Sequence, residues 1–116
     1  MGKRIQVSEV ECERNKEQPN DHAVRLFNNA KVIVSPHGGG SFNVMWAPSD
    51  GFMVEVLPES QKMMTAYHLA STAGVGWLGI VPDGSVYQEP FVVDVDDVVR
   101  QVALGLDGFQ QLAHVV

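Results

Sequence analysis

The stretch Val32-Ile33-Val34-Ser35-Pro36-His37-Gly38-Gly39-Gly40-Ser41-Phe42-Asn43 decides the fold of this chain. Its opening is short, apolar and β-branched, the pattern of a strand buried on both faces. The strand runs through Pro36 and His37 into three consecutive glycines. Glycine accepts positive φ and lets a ligand come close to the main chain. A short helix is expected over Ser41–Trp46, and the free amides and positive dipole end of such a helix suit an anion. In open parallel sheets, ligands gather at the carboxyl ends of the strands. The competing reading is a tight turn that uses glycine for backbone reasons alone, although turns seldom need three in a row.

Working outward, strands alternate with amphipathic helices. Upstream, Ile5, Val7 and Val10 alternate as in a strand, and polar residues 11–19 form a loop ending at Pro19. Asn20 or Asp21 is placed to cap a helix whose stripe is Ala23, Leu26, Phe27 and Ala30. The first strand after it is Lys31–Ser35. Downstream, Pro48–Gly51 reads as a turn, and Phe52–Leu57 as a strand stopped by Pro58. Ser60 is placed to cap a helix with Met63, Ala66, Tyr67 and Ala70 facing inward, ending at Gly74 or Gly76. Trp77–Val81 reads as a fourth strand, Pro82-Asp83-Gly84 as a turn and Phe91–Val93 as a fifth strand. Asp94 then caps a helix carrying Val95, Val98, Val99 and Val102, and the tail Leu106–Val116 continues as helix. Such alternation predicts a single α/β domain over 1–116, a Rossmann-like open parallel sheet of four or five strands flanked by helices.

Composition narrows the class. The 116 residues carry a net charge of −6, are 45% hydrophobic and 19% charged, and include one cysteine. A chain of this length buries roughly 65% of its unfolded surface, enough for a core without disulfides or metals. One cysteine forms no internal disulfide, no apolar run spans a membrane, and no apolar segment follows the basic start Met1-Gly2-Lys3-Arg4. The expectation is a cytoplasmic protein with no membrane span. Its acidity argues against nucleic acid as a partner. The charge is also uneven: residues 1–31 hold six basic and five acidic groups, whereas residues 32–116 hold Lys62 and Arg100 against nine carboxylates. An anion bound in the second part would have to rely on backbone N–H groups.

Other readings of the glycines compete with the anion site. His-Gly-Gly-Gly occurs as an oxyanion-hole motif in esterases. The nearest nucleophile elbow, Ala47-Pro48-Ser49-Asp50-Gly51, precedes a strand instead of a helix. The dinucleotide fingerprint Gly-x-Gly-x-x-Gly finds its first two glycines at Gly38 and Gly40, but Asn43 holds the third place. Asp94-Val95-Asp96 resembles the Asp-x-Asp metal motif of some sugar-nucleotide enzymes, while Asp94 also explains itself as a helix cap. No His-Glu-x-x-His and no cysteine pair is present, so neither a metal site nor a resident cofactor is expected.

Two side chains stand out. Glu55 lies in the apolar strand Phe52-Met53-Val54-Glu55-Val56-Leu57, where a carboxylate costs free energy unless it is paired or solvated. It stands 17 residues past Gly38, close to the place of the ribose-binding acid in nucleotide-binding sheets. A salt bridge or an edge-strand position would explain it equally well. His37 is able to donate to a phosphate or to move a proton. A loop histidine bonded to backbone is the plain alternative. His68, beside Met63 and Tyr67, reads as structural.

Taken together, Phe27-Asn28-Asn29-Ala30 through His37-Gly38-Gly39-Gly40-Ser41-Phe42-Asn43, followed by Val54-Glu55-Val56-Leu57-Pro58 and Tyr67-His68-Leu69-Ala70, resemble the C-terminal region of glycosyltransferase family 61. The likeness runs over about residues 20 to 103. That family shows an apolar strand, Gly-Pro-His-Gly-Ala-Gly-Leu-Thr-Asn, and a second strand with Glu near a proline. Here Ser35 stands for the first Gly, Gly39 for the Ala, and Ser41 and Phe42 for Leu-Thr. The resemblance implies one Rossmann-like half of a GT-B architecture, truncated relative to longer family members. It implies inverting transfer of a sugar from a nucleotide sugar, usually a uridine one, to a hydroxyl. By position, His37, Gly38, Gly39, Gly40, Ser41 and Asn43 would line the diphosphate or sugar, and Glu55 the nucleoside. The expected role is a nucleotide-sugar-binding domain, incomplete for catalysis alone without a missing partner domain, with no general base nominated. The alternatives are a non-catalytic α/β module that forms a homodimer through Met45, Trp46, Phe52 and Trp77, and a small phosphate-ester hydrolase using His37.

Overall fold

The computed structural model describes the backbone of residues 19–115 and the side chains of residues 21–107. The elements in chain order are helix α1 (Pro19–Asn28), strand β1 (Val32–Pro36), a 3₁₀ helix (Gly39–Trp46), β2 (Phe52–Val56), α2 (Thr65–Ala73), β3 (Gly76–Ile80) and α3 (Val95–Val115). The strands form a parallel sheet in the order β1-β2-β3. The α/β class and the parallel sheet are as expected, but the described residues contain three strands, not four or five. The strand expected over Ile5–Val10 lies outside the described residues. Phe91–Val93 carries no regular structure and pairs with no strand of the sheet. Pro90, directly before this run, brings no N–H to a ladder. Val92 is 90% exposed, and Phe91 serves instead as the wall of a cleft.

The two faces of the sheet follow from the register. Ile33, Met53 and Trp77 align across the strands, as do Ser35, Glu55 and Gly79 two residues on. Side chains two apart share a face, so these six residues share one. The 3₁₀ helix, with α1 and α2 packed against it, adjoins this face. Phe27, Val44, Met53, Ala66 and Ala70 form the core there. The opposite face carries Phe52 and Val54 under α3, where a Cβ on Gly105 would meet the Phe52 ring at 2.3 Å. Covered on both sides, β2 is buried throughout.

Several element ends differ from the sequence expectation. Helix α1 begins at Pro19, which fits the first helical position because its missing N–H would have no helical partner there. Asp21 therefore lies in the first turn rather than capping it. Helix α2 begins at Thr65, and Ser60 caps nothing: its Oγ accepts from the Tyr87 N–H at 2.7 Å. The inward stripe is Ala66, Leu69, Ala70 and Ala73, while Met63 and Tyr67 are exposed. Gly74 closes α2 in the left-handed conformation (φ 75°), with its N–H on Ala70 and Ser71 carbonyls. Asp94 does cap α3, its carboxylate accepting from the Asp96 N–H at 2.9 Å. Of the four residues expected to form an apolar partner face, Phe52 is buried under α3 and Trp77 is turned toward Glu55; Met45 and Trp46 are exposed.

Candidate functional site

Glu55 organises the carboxyl end of the sheet. It is fully buried, and its neighbours in register are Ser35 and Gly79, two small residues. A Cβ on Gly79 would meet the Trp77 ring at 2.5 Å, so the indole lies across β3 because position 79 has no side chain. The Trp77 Nε1–H thereby donates to Glu55 Oε1 at 3.1 Å. From the other side, His37 Nδ1 is 3.1 Å from Oε2. A carboxylate only accepts, so Nδ1 carries the hydrogen whenever Glu55 is ionised. Ser41 Oγ lies 3.4 Å from the same oxygen, but it also sits 2.6 Å from the Gly38 carbonyl. One hydroxyl proton serves one strong bond, and the shorter contact takes it. Glu55 is thus a carboxylate with both oxygens satisfied from within the protein.

His37 is held at both backbone and ring. Its N–H continues the β1–β2 ladder to the Val56 carbonyl at 2.9 Å. Its side chain is 5% exposed. Nothing among the described residues hydrogen-bonds Nε2, and no buried side-chain nitrogen or oxygen there lacks a partner. Nε2 is therefore the ring nitrogen that reaches solvent.

The glycine run beside it is open. An added Cβ at Gly38, Gly39 or Gly40 would meet nothing within 4 Å. Gly38 sits at φ 158°, ψ 177°, a backbone region that side chains rarely adopt. Gly39 and Gly40 have neither that constraint nor a crowded surrounding, so internal packing does not explain them. The first amide of the 3₁₀ helix with a partner is Ser41 N–H, on the Gly38 carbonyl at 3.1 Å. The amides of Gly39 and Gly40 precede that ladder. The Asn43 side chain folds back onto the Gly40 carbonyl at 3.1 Å. The short helix expected over Ser41–Trp46 thus forms, as a 3₁₀ helix beginning at Gly39.

A cleft of about 310 Å³ opens in front of His37. Pro36, His37, Gly38, Val56 and Pro58 line it from the ends of β1 and β2, and Tyr87, Gln88, Glu89 and Phe91 from the segment before α3. The second wall is latched in place. Glu59 N–H and Gly84 N–H bind Ser85 Oγ and Glu59 Oε2, each at 2.8 Å, and Ser60 N–H reaches the Ser85 carbonyl at 3.1 Å. Gln88 is held at φ 64°, a strained conformation for a side-chain-bearing residue. The Tyr87 and His37 ring centroids are 6.3 Å apart.

The structure therefore brings His37, Ser41 and Glu55 together, with Gly38 alongside, and leaves Asn43 in a local contact. Sequence reasoning missed Trp77 and the Tyr87–Phe91 wall. The signal for Trp77 was Gly79 two residues on, in register with Glu55; the wall carries no motif at all. Among the described residues there is no cluster of three His, Cys, Asp or Glu side chains, and no helix long and apolar enough to cross a membrane.

Residues 2–58 match the model of the family Glycosyltransferase 61. Over that segment the chain resembles this family, as its sequence motifs imply. The match takes in β1, the glycine run, His37 and Glu55. It stops at Pro58, whereas the likeness read from the sequence runs on to residue 103, so α2, Trp77 and the second cleft wall lie outside it. No curated protein and no solved structure matches significantly.

Proposed function

We propose that this chain is a glycosyltransferase-like domain that holds a nucleotide-sugar donor at the carboxyl end of β1 and β2. The observation that carries this reading is the glycine run: Gly39 and Gly40 bear no packing constraint, and their amides precede the helical ladder. Such amides offer hydrogen bonds to a diphosphate at the start of a helix. The acidic surroundings supply little other attraction, since the cleft itself contains Glu89 and no Lys or Arg. Tyr87 and Phe91 offer flat apolar surface to a sugar or base. The resemblance to the family supports a uridine nucleotide as the donor class. Calorimetry with UDP, UDP-sugars and GDP-sugars tests the reading. Binding of UDP-sugars at or below millimolar concentration is expected, and absence of binding at millimolar ligand overturns it.

A second reading has its own observation. Along α3, Val95 and Val99 are 71% and 60% exposed, and Val34 of β1 is 51% exposed on the sheet face that α3 shares. Apolar side chains in this arrangement favour self-association as a homodimer. Sedimentation at 100 μM decides it: a monomer at that concentration removes the reading.

A further inference from the structure

We infer that His37, oriented by Glu55, is the general base of a sugar-transfer step, and that the hydroxyl it deprotonates enters through the Tyr87–Phe91 cleft. The inference rests on the donor reading above and adds the group that the sequence does not nominate. Four observations support it. Glu55 is fully buried and holds His37 Nδ1 at 3.1 Å. With Nδ1 protonated, the neutral ring presents a lone pair at Nε2. Nε2 is the nitrogen that reaches solvent, since nothing among the described residues bonds it and no buried side-chain nitrogen there is orphaned. The ring also forms part of the cleft lining, beside the Tyr87 ring at a centroid distance of 6.3 Å. A lone pair at this place suits a hydroxyl, which donates, better than a phosphate oxygen, which accepts. His37 therefore belongs to the hydroxyl side of the reaction, and the Gly39 and Gly40 amides to the phosphate side.

The step balances as follows. The acceptor O–H bond breaks and its proton passes to His37 Nε2. The oxygen forms a bond to the anomeric carbon of the donor. The bond from that carbon to the diphosphate oxygen breaks, and the nucleoside diphosphate leaves with the electron pair. Water is able to take the acceptor's place, giving free sugar. Glu55 touches no reacting atom; it is a positioning residue that fixes the tautomer and stabilises the imidazolium that forms, as a carboxylate does behind other catalytic histidines. Trp77 and the small neighbours Ser35 and Gly79 hold Glu55 itself in place.

The test uses the whole chain with UDP-glucose, UDP-N-acetylglucosamine and UDP-xylose, with water as acceptor, and measures UDP release beside UDP affinity. Release above the protein-free blank is expected for at least one donor. Because general-base catalysis contributes about 100-fold or more, His37→Ala should lower release by at least that factor while UDP affinity changes less than about threefold. Added imidazole should restore part of the lost rate, which a merely structural role would not allow. Glu55→Gln, which keeps shape and a hydrogen-bond acceptor, should lower release with UDP affinity retained; circular dichroism confirms that both variants fold. UDP binding without release by the parent chain overturns the inference. So does release that His37→Ala leaves unchanged, or a His37→Ala variant that loses UDP binding in step with release. In those cases the donor reading survives. Absence of UDP binding to the parent chain sinks the donor reading itself, and the base with it.

Discussion

Glycine is used in two opposite ways in this protein. At Gly51, Gly79 and Gly105 the protein closes around the missing side chain. A Cβ would lie 3.0 Å from the Lys31 carbonyl at Gly51, 2.5 Å from the Trp77 ring at Gly79 and 2.3 Å from the Phe52 ring at Gly105. At Gly38, Gly39 and Gly40 it would meet nothing within 4 Å. The first set lets elements approach each other: a turn against the end of α1, an indole across a strand, and a helix against the sheet. The second set keeps a surface bare. A chain that spends three consecutive glycines without packing against them leaves its backbone available to something else, and this difference carries the functional reading more firmly than the count of glycines does.

The comparison is tested first where the packing is tightest. Gly105→Ala drives a methyl group into a buried ring, and overpacking of this kind costs about 1–3 kcal/mol, against which better helix propensity returns less than about 1 kcal/mol. Urea unfolding should show a lower midpoint with an unchanged slope. Gly51→Ala comes next. Its Cβ meets the carbonyls of Lys31, Pro48 and Ala30 between 3.0 and 3.3 Å, all main-chain atoms, so the turn must shift, and a loss of about 1–2 kcal/mol is expected in the same assay. Gly79→Ala should be milder in stability and sharper in its signature. It displaces the Trp77 indole from Glu55, so the tryptophan emission should change while Trp46, exposed on the 3₁₀ helix, reports no difference. Unaltered emission would mean that the indole does not depend on the bare position beneath it.

These contrasts also show what the sequence made legible. The strand before the glycines, the helix stripe through Ala23, Leu26 and Phe27 (Ala30 lies past the end of α1) and the Asp94 cap follow from local rules, because a period or a single side-chain-to-backbone bond determines each. Glu55 was legible as a carboxylate in need of a partner. Its partners were not, because His37 and Trp77 are 18 and 22 residues away and meet it only through the parallel register. Phe91–Val93 misled because an apolar run is compatible with a strand even where no neighbour exists to pair with it. The cleft wall was invisible for a related reason. Tyr87–Phe91 is held by contacts from Glu59 and Ser60 to Gly84, Ser85 and Tyr87, and such side-chain latches between loops leave no periodic trace.

The open glycines divide among themselves, and the smallest effect on stability should come from Gly39 and Gly40. Gly38 is constrained by its backbone, so Gly38→Ala should cost about 1–3 kcal/mol even with free space around the Cβ. Gly39 and Gly40 lie within the 3₁₀ helix at backbone angles open to any residue. For Gly39→Ala and Gly40→Ala the folded state loses nothing and the unfolded chain loses freedom, so stability should stay level or rise by up to about 1 kcal/mol. Ligand binding should move the other way. A methyl group over the two amides stands between them and a diphosphate, and UDP affinity should fall at least tenfold in calorimetry. A variant with higher stability and full UDP affinity would show that the bare backbone serves no ligand. A variant with higher stability and lost affinity would show that these two positions are kept as glycine at the fold's expense.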